Sequence, residues 1–142
     1  MIVYLDTSSL VKLYLPSESN GDEVRQTLDA ADTAATSAIA YVEALSAFTR
    51  QRRERRLSMS VFDVIKSDFE QDWFHYQIVH VTMPLLSEAG RLAERHALRA
   101  LDAIHLASYL ELFRSTDGAV ELSTYDRQLG IAARSATRMR RR

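Results

Sequence analysis

The chain has 142 residues, of which 46% are hydrophobic and 26% are charged, and it contains no cysteine. This length fits one domain with a proper core, and the lack of cysteine excludes disulfides and thiolate metal sites. No apolar run approaches the roughly 18 residues of a membrane span, and the first residues do not resemble a signal peptide. We therefore expect a cytoplasmic protein with no membrane partner.

The positive charge is unevenly distributed along the chain. Five of the last nine residues, 134–142, are arginine, and a second basic cluster lies at residues 50–56. The net charge is −1, whereas residues 1–133 carry 13 basic and 19 acidic side chains. Basic clusters on an acidic body suit contact with phosphate, although solvated helix ends and a frayed terminus explain each cluster equally well. We expect one domain over residues 1–133 and a basic tail over residues 134–142.

Strand and helix patterns alternate along the chain. The apolar run from Met1 to Leu5 stops at Asp6 and gives way to helical spacing, which is typical of a buried parallel strand. Further strands are predicted at residues 32–37, 76–81 and 119–122, with a fifth candidate in the arginine-rich tail. Helices are predicted over residues 22–31, 38–53, 60–74, 82–96, 101–110 and 127–133. This order predicts an α/β fold of three layers, with a mainly parallel sheet of four to five strands between helices.

Four acids stand out along this pattern. Asp6, Asp102 and Asp126 lie at or near predicted helix starts, where an acid typically contributes ~1 kcal/mol as a cap or through the helix dipole. Ser123 and Asp126 match a capping box, as do Ser60 and Asp63 before an earlier helix. Each aspartate therefore has an ordinary structural explanation.

Glu43 is harder to explain as a structural residue. It lies in the middle of a predicted helix beside small apolar side chains, where a carboxylate is costly unless it is paired or bound to metal. His105 follows Asp102 by three residues and could donate a hydrogen bond to it, or could be an ordinary buried histidine. The four histidines do not have the spacing of zinc ligands, and no nucleophile elbow or phosphate-binding glycine loop is present.

Ligands of open α/β sheets bind at the carboxyl ends of strands, which is where Asp6 is expected. Several carboxylates at one edge suit Mg²⁺ or Mn²⁺, which accepts one or two acids directly and takes waters and phosphate oxygens for the rest. Such an ion offsets repulsion among the acids and stabilises charge during phosphoryl displacement. The hydroxyls of Thr7, Ser8 and Thr124 could orient carboxylates or metal-bound waters.

Taken together, four segments resemble the PIN domain and, more narrowly, the VapC-type toxins of toxin–antitoxin modules. These segments are Leu5-Asp-Thr-Ser-Ser-Leu, the helical Glu43, Leu101-Asp-Ala-Ile-His-Leu-Ala and Ser123-Thr-Tyr-Asp-Arg-Gln-Leu. Each is weak alone, but their order and spacing over residues 1–133 make the resemblance specific.

The resemblance implies a PIN-like fold and an endoribonuclease that depends on Mg²⁺, with Mn²⁺ as a substitute. Carried over position by position, it implies Asp6 and Asp102 as metal ligands and Glu43 and Asp126 as further catalytic acids. Thr7, Ser8 and Thr124 match the family's small hydroxyl positions. It also implies an RNA substrate, a cognate VapB-like antitoxin and a homodimer.

Two alternatives remain open on the residues alone. One is another metal-dependent phosphoesterase, such as a phosphatase or a DNA nuclease, although the haloacid-dehalogenase type would need an aspartate where Ser8 stands. The other is a non-catalytic module that binds RNA or a protein partner and uses its acids only as helix caps. Glu43 argues against the second alternative, and a metal titration would separate it from the enzyme.

Overall fold

The structure is a computed structural model that describes residues 1–139. Its parallel strands are β1 (Ile2–Leu5), β2 (Thr33–Ser37), β3 (Gln77–Val79) and β4 (Val120–Ser123). The helices are α1 (Thr7–Leu10), α2 (Gly21–Asp29), α3 (Ile39–Arg53), α4 (Met59–Trp73), α5 (Met83–His96), α6 (Ala100–Ser115) and α7 (Arg127–Arg138), and a turn of 3-10 helix spans Val11–Leu13. Within the described residues, no helix is long and apolar enough to cross a lipid bilayer.

The sheet is covered on both faces, and β1 contributes side chains to both. Val3 and Leu5 pack in a hydrophobic cluster with α1 to α4, whereas Tyr4 packs in a second cluster with α5 to α7. All three side chains are buried because successive residues of a strand point to opposite faces. A strand covered on both sides needs a continuous apolar run, which is why β1 was recognisable from sequence. The predicted three-layer α/β fold is confirmed.

The strands lie in the order β3-β2-β1-β4, so β1 is the topological switch point: the strands that follow are added first on one side of it and then on the other. The chain builds outward from β1 through β2 to β3, and β4 then pairs with the opposite side of β1. Leu5 lies in register with Ser123, and the backbone N–H of Asp6 donates to the carbonyl of Ser123 at 3.2 Å. The loops after β1 and β4 therefore leave the sheet side by side, which creates the crevice that binds ligands in folds of this kind.

Two helix starts differ from their predicted capping boxes. Helix α4 begins at Met59 and is capped by Ser58, not by Ser60. Helix α7 is capped by Asp126 itself, while Ser123 is the last residue of β4. In both cases another side chain with good capping chemistry lies close to the predicted cap, and tertiary packing selects between them.

Helix α7 continues to Arg138, past its predicted end at Ala133. Ala132, Ala133 and Ala136 pack on one side of it against the core. The suggested fifth strand is wrong for residues 134–138, because alanines at this spacing share a helix face whereas a strand would separate them. Residues 140–142 of the predicted tail lie outside the described residues, and the proposed division at residue 133 stays a prediction.

Gly21, the first residue of α2, provides a test of the close approach of α2 to Lys12. A Cβ atom at Gly21 would lie 2.7 Å from the backbone oxygen of Lys12, which no side-chain rotation relieves. We expect Gly21→Ala to lower the free energy of unfolding by about 1–3 kcal/mol, measured by chemical denaturation. Gly90 is the matched control, since it lies exposed inside α5 with no atom within 4 Å of such a Cβ.

Gly90→Ala should raise the free energy of unfolding by about 0.5–1 kcal/mol, because alanine favours a helix interior. If Gly21→Ala were stabilised to the same degree, the close approach of α2 to Lys12 would be contradicted.

Candidate active site

Asp6 is a buried acid at the carboxyl end of β1, with 3% of its surface exposed. Its Oδ1 atom caps α1 by accepting the backbone N–H of Ser9 at 2.9 Å. The Ser8 hydroxyl donates to Oδ1 at 2.7 Å and to Oδ2 at 2.9 Å, and the Thr124 hydroxyl donates to Oδ2 at 2.5 Å. Burial raises the pKa of Asp6, although these donors act in the opposite direction.

The same hydroxyls join the loops after β1 and β4. Thr124 Oγ1 accepts the backbone N–H of Asp126 at 3.0 Å, and Ser8 Oγ accepts the backbone N–H of Tyr125 at 3.0 Å. Each hydroxyl therefore donates to Asp6 and accepts from the loop that carries Asp126. This pattern fixes the position of Asp126 relative to Asp6.

Glu43 lies in α3 with 21% of its side chain exposed. Its Oε1 atom accepts the Thr7 hydroxyl at 2.7 Å and faces His105 Nε2 at 2.8 Å. Burial acts to raise the pKa of Glu43, but the hydrogen bond and charge of His105 and the hydroxyl of Thr7 together hold it below its ordinary value. Glu43 is thus held as a carboxylate, and the sequence-based expectation that it is paired is met by His105.

His105 connects Glu43 to the sheet. It is 2% exposed, and its Nδ1 atom lies 2.7 Å from the Tyr4 hydroxyl. An ionised carboxylate only accepts, so Nε2 carries the hydrogen that faces Glu43. Burial raises the pKa of Tyr4 well above its ordinary value, so its hydroxyl stays protonated. It donates to Nδ1 when the imidazole is neutral and accepts from Nδ1 when the imidazole is charged. The suggested hydrogen bond from His105 to Asp102 is wrong, while a buried and hydrogen-bonded histidine is what the structure contains.

Asp102 and Asp126 lie nearer the surface and share one cation. Arg99, the residue before α6, places Nε 3.2 Å from Asp102 Oδ2 and a terminal guanidinium nitrogen 3.7 Å from Asp126 Oδ2. The two carboxylate side chains are 22% and 25% exposed, whereas the arginine side chain is 84% exposed. Arg99 therefore bridges the start of α6 and the start of α7.

The predicted site residues fall into connected groups at one edge of the sheet. Asp6, Ser8, Thr124 and Asp126 form one hydrogen-bonded group, and Thr7 with Glu43 forms another. Asp102 is joined to the first group through the ion pairs of Arg99. Over residues 1–139, no three acid or histidine side chains are gathered as a ready-made metal cage.

Tyr4 and Arg99 belong to these groups but were missed in the sequence. The spacing of Arg99 three residues before Asp102 is a known signal for an ion pair at a helix start. Tyr4 had no such signal, because an apolar run in the sequence does not indicate whether the hydroxyl of a tyrosine within it has a buried hydrogen-bond partner.

The donors available here fit a hard divalent cation. They are all oxygens, and Mg²⁺ needs only one or two carboxylates because waters and substrate phosphates complete its coordination. Asp6 accepts four hydrogen-bond contacts, but two come from the single hydrogen of the Ser8 hydroxyl. Rotation of that hydroxyl would free one lone pair of Asp6 at small cost. Asp6 could therefore accept such an ion without a change of fold.

The PIN domain family model matches residues 3–133. The chain therefore belongs to the PIN domain family. Ribonuclease VapC45 and Ribonuclease VapC49, from two strains of Mycobacterium tuberculosis, are each 34% identical to it over 135 residues, which cover 95% of this chain and 91% of theirs. Within the PIN domain family, these relatives place the chain with the VapC ribonucleases, as the sequence motifs predicted.

Three solved structures have the same fold. Mycobacterium tuberculosis VapC20, a toxin that cleaves the sarcin–ricin loop, has a TM-score of 0.66 at 16% identity, covering 92% of this chain and 94% of its own. FitAcB from Neisseria gonorrhoeae has a TM-score of 0.67 at 20% identity, covering 94% and 93%. A toxin–antitoxin complex from Klebsiella pneumoniae has a TM-score of 0.63 at 21% identity, covering 87% and 86%. At these identities the likeness establishes the fold alone, and the predicted PIN-like fold is confirmed.

The opposite pKa shifts of Asp6 and Glu43 predict opposite pH dependences of stability. Between the ordinary pKa of Asp6, 3.8, and its raised value, the native protein holds a proton that the unfolded chain has lost. Stability therefore falls as pH rises through this interval, and Asp6→Asn removes that loss. The free energy of unfolding of Asp6→Asn, relative to the parent without divalent metal, should increase as the pH rises from about 4 toward neutral.

Glu43→Gln is the matched comparison. The pKa of Glu43 is lowered from 4.5, so its contribution is present above that value and is lost as pH falls through the folded value. The variant should lose about 1–2 kcal/mol near neutral pH and progressively less in acid. Denaturation curves over this pH range measure both, and parallel pH profiles for the two variants would contradict the assigned shifts.

Proposed function

We propose that the protein is an endoribonuclease that hydrolyses phosphodiester bonds of RNA and acts as the toxin of a toxin–antitoxin module. The observation that carries this proposal is its 34% identity to two VapC ribonucleases over 95% of the chain. The position of Asp6 where the strand order reverses supports it, because that is where such a fold binds its substrate. In the alternative of a non-catalytic module, the pairing of Glu43 with His105 would serve only to join α3 to α6.

We further propose that Asp6 and Asp102 hold Mg²⁺, or Mn²⁺ as a substitute. The ion would supply Lewis-acid polarisation of the scissile phosphate and a lowered pKa for bound water. Ser8 and Thr124 orient the Asp6 carboxylate toward that site through their hydroxyls. Their donors also lessen the cost of keeping this buried acid ionised.

The remaining acids position the attacking water. The water attacks phosphorus in line, and the bond from phosphorus to the ribose oxygen on the opposite side breaks. The attacking water loses a proton to solvent, and the leaving oxygen takes one up from solvent. Glu43 and Asp126 accept hydrogen bonds from this water and orient its lone pair. Thr7 and His105 keep Glu43 ionised and fix its rotamer, while the cap to α7 fixes Asp126. The two clusters of arginine provide contacts for the RNA backbone.

Substitution of the proposed metal ligands tests this activity. Asp6→Asn and Asp102→Asn should lower the rate of RNA cleavage in Mg²⁺ or Mn²⁺ by at least about 100-fold, because the lost charge stabilisation amounts to several kcal/mol. Asp68→Asn, on the exposed face of α4, removes the same charge away from the site and should cleave as the parent does. Chelator should abolish cleavage by the parent and by Asp68→Asn.

A thermal melt gives a second readout that does not depend on finding the RNA target. Mg²⁺ should raise the melting temperature of the parent and of Asp68→Asn, because it binds the native state. The melting temperature of Asp6→Asn should rise less. If Mg²⁺ neither raises the melting temperature of the parent nor enables it to cleave RNA, the metal mechanism is excluded and the non-catalytic alternative is favoured.

We also propose that a small antitoxin inhibits the protein and that the protein forms a homodimer. The similar fold from Klebsiella pneumoniae is part of a toxin–antitoxin complex, and VapBC2 from Rickettsia felis is bound to DNA from its promoter, with a TM-score of 0.57. An arginine of the antitoxin would suit this site, because guanidinium pairs well with carboxylates. The contacts of Arg99 with Asp102 and Asp126 support such pairing.

Co-expression with the adjacent small reading frame tests the antitoxin. Expression of the protein alone should arrest growth, and co-expression should restore growth and yield a complex that no longer cleaves RNA. Asp6→Asn should bind the same partner without arresting growth, so it separates inhibition from loss of expression. Unchanged arrest and cleavage on co-expression, with both proteins present, would contradict this partner.

A further inference from the structure

Arg99 occupies an unusual position among the arginines of the described chain. Its extended backbone directly precedes α6, and its guanidinium bridges Asp102 and Asp126, two acids from distant parts of the sequence. Both acids belong to the proposed active site. Nothing in the proposed reaction so far assigns a role to this side chain.

The geometry of the bridge indicates a contact that breaks easily. Arg99 offers one nitrogen to each carboxylate, at 3.2 Å and 3.7 Å, and its side chain is 84% exposed. Arg114, on the same helix, makes a two-pronged contact with Glu88 at 2.7 Å and 2.9 Å and is only 36% exposed. Exposed pairs of the first kind contribute little to stability, because water and salt screen them. Arg114 is a structural bridge, and Arg99 is not built as one.

Any cation that binds Asp102 must compete with the guanidinium for the same carboxylate. Arg99 contacts Oδ2 of Asp102 and Oδ2 of Asp126, so it neutralises the two outer acids together. Once displaced from the two acids, this exposed guanidinium would be free to contact a phosphate of the RNA. Guanidinium and phosphate match in charge and in hydrogen-bond geometry.

We propose that Arg99 exchanges partners during the reaction cycle. It holds Asp102 and Asp126 as their counter-ion before the metal binds, and contacts a phosphate of the RNA once the metal has taken the carboxylate. This inference rests on the proposed function. It makes Arg99 a residue for metal control and substrate positioning, with two effects of opposite sign: it weakens metal binding and strengthens RNA binding.

The test compares Arg99→Gln with Arg95→Gln, which removes the same charge from an exposed position on α5. Mn²⁺ binding is measured by calorimetry on protein stripped of metal. RNA binding is measured in Mn²⁺ with a 2′-O-methylated oligonucleotide of random sequence, which resists cleavage, over a range of salt concentrations. Circular dichroism confirms that each variant is folded.

We expect Arg99→Gln to bind Mn²⁺ about 2–5-fold more tightly than Arg95→Gln, because no guanidinium competes for the carboxylates. Its RNA affinity should be weaker, and the slope of log affinity against log salt should be smaller by about 0.7, as for one lost phosphate contact on a single strand. Arg99→Lys should restore the salt slope, since an ammonium group also neutralises a phosphate.

Each other outcome overturns the inference in a recognisable way. If Arg99→Gln matches Arg95→Gln in both measurements, the bridge has no role, and a change in only one of them excludes the exchange of partners. If the parent itself binds no Mn²⁺, the metal site fails and this inference fails with it. Binding of Mn²⁺ by the parent, lost in Asp6→Asn, would keep the proposed site intact even where Arg99 proves silent.

Discussion

The buried carboxylate of Asp6 is the interaction on which the rest of this site depends. A charge at 3% exposure is costly unless donors surround it, and here the donors come from both loops that meet at the reversal of strand order. Ser8 and Ser9 are supplied by the start of α1, and Thr124 is supplied by the loop after β4. The stabilisation of one acid therefore fixes the relative position of two segments that the sequence separates widely.

A second series of hydrogen-bond contacts links β1, α6 and α3. Tyr4 points to the face covered by α5 to α7, where its hydroxyl meets His105, and His105 in turn holds Glu43 of α3. The pKa of Glu43 is lowered in this arrangement, while burial raises the pKa of Asp6. Two acids at one edge are thus driven toward different protonation behaviour by their surroundings. Such divergence is typical of sites in which carboxylates have different tasks.

Much of this architecture was predictable because it depends on local patterns. The apolar run of β1 requires cover on both faces, and the acid that follows it marks the strand end. Helix α3 shows where hydrophobicity alone misleads: Val42 is 64% exposed, whereas the smaller Ala40 and Ala44 are buried. Small residues allow the helix to pack closely, so size mattered more than hydrophobicity there.

The members of the site stay a prediction, whereas the contacts among them were not predictable from the sequence. Asp6, Glu43, Asp102 and Asp126 were named from spacing and resemblance, yet spacing alone paired His105 with Asp102. The true partner, Glu43, lies 62 residues away, and only the packed sheet reveals it. Arg99 was missed although its spacing of three residues to Asp102 is visible in the sequence. Its second partner, Asp126, is apparent only in the folded structure.

The span between Asp6 and Thr124 has a consequence for how the protein comes to be made. Their hydrogen bond closes a loop of 118 residues, so the crevice forms only after β4 and the residues that follow it have been synthesised. A nascent chain that still lacks β4 leaves Asp6 without the Thr124 hydroxyl and without Asp126 beside it. The acids of the crevice are therefore assembled only once β4 has been made, and a chain truncated before β4 lacks this arrangement.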